Sequence, residues 1–134
     1  TNTPDPGTTP TPSPSPTPTG DFFSITLQLN QTQFNAGDLF DFRHQVIRQG
    51  SSVTVDKYII LDVYGSYFFW PNWTQDLGFE THTYANGYNQ TLPILNFQWP
   101  EVSGHASGLK FYAGCLYTGT ANLIGDISLV EFGY

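Results

Sequence analysis

Two stretches, FFSITLQLN and LFDFRHQVI, alternate apolar and polar residues at every second position. Phe23, Ile25, Leu27 and Leu29 fall on one parity of the first, and Phe40, Phe42, His44 and Val46 on one parity of the second. A period of two is the signature of a strand with one face buried and one face wet. TVDKYIILDVYG is apolar on both parities from Tyr58 to Val63, the pattern of a central strand covered on both faces. LPILNFQW, GLKFYAG and DISLVEFGY supply further strands, and no segment has a helical period. Turn chemistry fills the gaps, at Asn35-Ala36-Gly37-Asp38, Gln49-Gly50-Ser51, Gly65-Ser66, Asn86-Gly87, Ser103-Gly104 and Thr118-Gly119. Seven or eight strands punctuated in this way predict an all-β chain folded as an antiparallel β-sandwich.

The strands begin only after an abrupt change of composition. Residues 1–20, TNTPDPGTTPTPSPSPTPTG, hold seven of the ten prolines, no large hydrophobic side chain and a single charge, Asp5. Such a segment has too little apolar surface to offset the cost of ordering, so it reads as a tail or linker. Residues 21–134 then form one domain, long enough to build a core. Alternation of Pro with Thr or Ser favours polyproline II, an extended and semi-rigid spacer. The hydroxyls of Thr8, Thr9, Thr11, Ser13, Ser15, Thr17 and Thr19 line it as a mucin-like O-glycosylation track. Either use places the chain outside the cell or on its surface. Asn-x-Thr acceptors at Asn30, Asn72 and Asn89 are a weaker signal of the same kind.

Composition narrows the partners. The formal charge is −7, and the four basic residues, Arg43, Arg48, Lys57 and Lys110, are scattered, which argues against nucleic acid and anionic membranes. No apolar run has the length needed to insert in a bilayer. Only 11% of residues are charged, less than half the usual share, so solubility has to come from Asn, Gln, Ser, Thr, Tyr or glycans. The lone Cys115 shares a strand parity with Leu109, Phe111, Ala113 and Tyr117. It reads as a buried small hydrophobe, with an intermolecular disulfide or a modified thiol as the alternative.

The folded part resembles the immunoglobulin-like modules of bacterial secreted and surface proteins, in which a Pro/Thr-rich linker leads into a strand and an FxxGD turn. Phe34, Gly37 and Asp38 occupy that motif, and ANLIGDISLVEFGY resembles the closing hairpin of such modules. The resemblance implies an immunoglobulin-like sandwich in an extracellular setting. It implies no particular function.

Catalytic and metal signatures are missing. There is no HxH, HExxH or Cys/His spacing, and no metal or cofactor is expected, although Asp and carbonyl groups in sandwich loops can hold Ca²⁺ incidentally. His44 reads as a hydrogen-bonded core or rim residue. Carboxylates such as Asp62 with Glu80 or Glu101 would have to meet in space for glycosidase chemistry, and Ser103 with His105 lies in a Gly-rich loop without an orienting third group. The chain is therefore read as noncatalytic.

What demands explanation is YGSYFFWPNW, six aromatic rings in residues 64 to 73. A turn at Gly65-Ser66 would make YFFW the returning strand, with Tyr67 and Phe69 on one face and Phe68 and Trp70 on the other. Pro71 then ends it, which suggests Phe69 as core and Trp73 as surface. Tyr64, Tyr67, Phe68, Trp70 and Trp73 are the candidates for an interface or ligand-binding patch. Three uses are open: cover by the chain's own loops, association with itself or with other surface proteins, or stacking on a glycan. The leading expectation is a structural subunit of a cell-surface or filamentous assembly with its tail glycosylated or docked on a neighbour. The alternative is a carbohydrate-binding module of a secreted enzyme or adhesin, and a small secreted hydrolase is a weaker third.

Overall fold

The computed structural model describes residues 20–134. The O-glycosylation track and all of the tail except Gly20 lie outside the described residues. Eight strands follow in order: β1 (Phe22–Leu29), β2 (Leu39–Gln49), β3 (Val53–Val63), β4 (Ser66–Phe69), β5 (Glu80–Tyr84), β6 (Asn89–Gln98), β7 (Leu109–Tyr117) and β8 (Leu123–Phe132). They form two antiparallel sheets. One has the order β1-β2-β6; the other runs β4-β3-β7-β8, with β5 sharing the β4 edge of β3. With β1, β2 and β6 in one sheet and β3, β7 and β8 in the other, the strand order is that of an immunoglobulin-like sandwich, and β4 extends the second sheet.

The parity seen in the sequence is the parity of the core. Phe23, Ile25 and Leu27 of β1 meet Phe40, Phe42 and Val46 of β2, and across the sandwich they face Val55, Ile59, Phe111, Ala113 and Cys115. Aromatic rings form the centre. Phe111 stacks between Phe42 at 4.1 Å and Phe132 at 5.2 Å, and Phe40 lies 4.8 Å from Phe34. Offset and tilted rings at such spacings gain beyond the area that they bury.

The FxxGD turn has a physical basis here. Phe34 is buried against Phe40, Gly37 takes φ 88°, and the Asp38 carboxylate accepts the Asn35 N–H at 2.8 Å and the Gln31 amide at 3.0 Å. The residues Phe, Gly and Asp thus supply a plug, a left-handed turn and a turn acceptor.

Two expectations are corrected. The β3–β4 hairpin closes through Tyr64-Gly65, with Val63 opposite Ser66, one residue earlier than Gly65-Ser66. Tyr64 holds φ 51° and Gly65 φ 90°. The Asp62 carboxylate takes the Gly65 N–H at 2.8 Å, and the Tyr64 hydroxyl donates to the Ser107 carbonyl at 2.6 Å, so side-chain bonds at both ends hold a tyrosine where glycine or asparagine is usual. The second correction concerns β3. Its inward residues Val55, Lys57 and Ile59 are buried, yet the outward Tyr58 and Ile60 are only half-buried and face an open groove.

Candidate functional site

The groove lies on the outer face of the five-stranded sheet. Tyr58 and Ile60 of β3, Phe69 of β4, Tyr112 and Leu116 of β7, and Ile127 of β8 line a space of about 410 Å³. Gly114 forms part of its floor: a Cβ there would meet Ile127 at 3.4 Å and Leu123 at 3.7 Å. The groove walls are open to solvent, with Leu77 and Ile127 69% and 60% exposed. Beyond the groove the face stays apolar, with Leu129 52% exposed and Phe79 packed on Tyr58 at 5.0 Å.

Along the outward positions of β3 and β7, charge falls only near the ends. Lys110 sits between Asp62 and Glu131 in the register at one end. At the other, the Asp56 carboxylate accepts from the Thr81 hydroxyl at 2.8 Å, the Thr118 hydroxyl at 2.9 Å and the Gly119 N–H at 3.2 Å. Those bonds, the one from Thr81 foremost, hold its pKa below the usual carboxylate value. An apolar centre with polar margins is the anatomy of an association surface.

A second feature lies between the sheets. Lys57, 2% exposed, projects inward from β3, and its Nζ lies 2.8 Å from His44 Nε2 and 3.2 Å from the Tyr84 hydroxyl. The ammonium also sits 5.2 Å from the centre of the Trp70 ring and 5.9 Å from that of Tyr84. Neutral acceptors and ring faces thus surround the cation. Burial, with the Lys57 charge second, pushes His44 down to about 4, so at neutral pH its ring is uncharged and accepts from Lys57. Burial also lowers the Lys57 pKa and raises that of Tyr84, and it pushes the Cys115 thiol up to about 12. Cys115 is opposite Lys57 in the β3–β7 register. It is fully buried, as its strand parity predicts.

The five aromatic candidates do not share a surface. Tyr64 at the hairpin tip and Tyr67 on the outer face of β4 are exposed. Phe68 pairs with Leu61 on the inward parity. Trp70 packs against the core under Lys57, and Trp73 meets Phe111 edge-on at 5.7 Å. The expected roles of Phe69 and Trp73 are reversed. Phe69 lines the outer groove, whereas the Phe69–Trp73 and Phe69–Thr74 backbone bonds close a tight loop that turns Trp73 back under the sheet.

The remaining candidates do not converge. Asp62 lies on the outer parity of β3 and Glu80 sits opposite Lys57 on the inner parity, where it pairs with His82 at 3.0 Å. His105 borders a depression at one end of the sandwich with Tyr64, Gln33 and Tyr134. Among the described residues no group of three or more His, Cys, Asp or Glu side chains is arranged to hold a metal ion, and no helix is long and apolar enough to cross a membrane.

Sequence reasoning missed the main elements of both features. Lys57 was visible between Val55 and Ile59 on the core parity, and Ile127 and Leu129 alternate with Ser128 and Val130 so that both faces of β8 carry apolar residues.

No protein-family model matches the chain, and no curated protein matches it. Among solved structures, a CARDB domain from Pyrococcus furiosus, solved in complex with di-metal ions, is similar over 86% of this chain and 96% of that one. The identity is 13% and the TM-score 0.47. A β-glucosidase from Kluyveromyces marxianus is similar over 84% of this chain at 11% identity and a TM-score of 0.34, and the match covers 14% of that enzyme.

Proposed function

We propose that the chain is a noncatalytic structural module of an extracellular or cell-surface assembly, and that it associates through the outer face of its five-stranded sheet. The observation that carries this reading is the apolar groove around Tyr112, with Leu77 and Ile127 exposed in its walls and Leu129 exposed beside it. A chain of net charge −7 would repel its own copies, but this face has an uncharged centre across which two copies can meet. The extracellular setting is supported by the Pro/Thr-rich segment and by the resemblance to surface modules.

Ile127→Lys and Leu129→Lys test it. Both side chains are more than half exposed and point away from the core, so the unfolding free energy should stay within about 0.5 kcal/mol of the parent's. Self-association followed by sedimentation velocity should weaken at least about tenfold, because a desolvated lysine would enter an apolar contact. Variants that sediment as the parent does at every concentration would remove the reading.

Carbohydrate binding has one observation in its favour. The end depression combines the exposed Tyr64 ring with Tyr134, Gln33 and His105, a mixture of flat rings and polar groups suited to a neutral sugar. Binding to a glycan panel that disappears in Tyr64→Ala, with association unchanged, would favour this second reading.

A further inference from the structure

Resting on the association reading, we propose that the outer groove receives the Pro/Thr-rich segment, residues 1–19, of a neighbouring copy. The chemistry of the two surfaces matches. The groove has aromatic and aliphatic walls, among them Tyr58, Phe69 and Tyr112, and no charged residue lines it. Residues 1–19 hold seven prolines and one charge. Proline-rich sequences dock in aromatic-lined grooves because little conformational freedom is left to lose, and tyrosine hydroxyls can donate to the carbonyls that polyproline II leaves unbonded.

The tail is long enough to reach a neighbour, and the sheet it starts from favours that neighbour over the chain's own groove. Nineteen residues at about 3.1 Å each reach about 59 Å, several times the width of a sheet with strands about 4.8 Å apart. Gly20 precedes Asp21, whose carboxylate is tied to Arg48 at 3.3 Å, and a Cβ on Gly50 would run into the Asp21 side chain. The described residues therefore begin beside the β2–β3 turn, on the three-stranded sheet rather than on the sheet that carries the groove. Between Gly7 and Gly20 there is no glycine, and Pro alternates with Thr or Ser from Thr9 to Thr19. To reach its own groove, a sequence of that stiffness would have to wrap from the three-stranded sheet round to the far face of the other sheet, whereas a neighbour's groove needs no such wrap. A contact in which the tail of one copy enters the groove of the next is heterologous, and repetition of it gives an open-ended chain of subunits.

The test uses the full-length chain carrying P10A, P12A, P14A, P16A and P18A together, which keeps the length and every residue of the sandwich. This variant should sediment as a monomer at concentrations where the parent associates. A synthetic peptide of residues 1–19 titrated into it should shift the NMR signals of Tyr58, Phe69 and Tyr112 saturably, and Ile127→Lys in the same background should abolish the shifts. No saturable shift up to millimolar peptide would overturn the tail as occupant, whether or not the parent assembles. If the five-alanine chain assembles like the parent while Ile127→Lys does not, the groove meets a second copy's sheet face, and only the tail proposal falls. If Ile127→Lys also assembles like the parent, the association reading itself fails.

Discussion

Phe111→Asp should leave the chain unfolded at room temperature, with no cooperative thermal transition by near-ultraviolet circular dichroism. Phe111 is 2% exposed and lies between the Phe42 and Phe132 rings, with Trp73 edge-on against it. Losing the ring alone would cost about 3–5 kcal/mol. The carboxylate that replaces it would have no cation within the cluster of Phe40, Phe42 and Phe132, which adds several kcal/mol more. Together these approach the whole stability of an ordinary domain, about 5–15 kcal/mol. Lys110→Gln on the opposite parity is the control, and its unfolding free energy should change by less than about 0.5 kcal/mol. A Phe111→Asp chain that melts cooperatively near the parent's midpoint would show that β7 is packed with the other face inward.

The second large effect is on acid stability. His44 is neutral in the folded chain, with its pKa pushed from 6.5 to about 4, and its Nε2 accepts from Lys57. A depressed value means that the unfolded chain binds the proton first as pH falls. The contribution is therefore fully present above about pH 6.5, shrinks through the interval, and is gone near pH 4. The gap is worth about 3 kcal/mol. Protonation would also bring a second positive charge to 2.8 Å from the Lys57 ammonium. The other groups near this pair are Tyr84, Trp70, Cys115, His82 and Glu80, and the Glu80 carboxylate is engaged with His82. Urea denaturation from pH 7.5 to 4 should show this slope in the parent. The double variant His44→Leu with Lys57→Met should lack it and be as stable or more so at pH 7, as replacement of buried charge by apolar groups often is. Equal slopes in both chains would contradict the assignment.

These two cases also mark how far the sequence could be read. Strands β1 and β2 were legible because each has a dry parity and a wet one, so Ile25 and Phe42 announce their own direction. The FxxGD turn was legible because each of its residues performs a local job. In β3 the same reasoning failed on one side. Tyr58 and Ile60 are as apolar as core residues, and periodicity cannot distinguish a face covered by the chain itself from one open to a partner. The Tyr64-Gly65 turn was displaced by one residue because the Tyr64 conformation depends on Ser107, 43 positions away. Trp73 turns inward for a similar non-local reason: its partner Phe111 belongs to a strand three elements later. The Lys57 cluster draws on β2, β3, β5 and the loop after β4, and no short window of sequence contains it.

Cys115 turns the core into its own reporter. A thiol that is fully buried and held at a pKa of about 12 is protected from an alkylating reagent in two ways, by access and by protonation. Modification has to wait for β7 to part from β3 or for the sheets to separate. With fast reclosing, the rate of labelling in native buffer measures the free energy of that opening. Because the chain has one cysteine, the signal comes from a single place in the molecule. The same chain, free or assembled, can then be asked whether covering its outer face slows the breathing of the interior behind it.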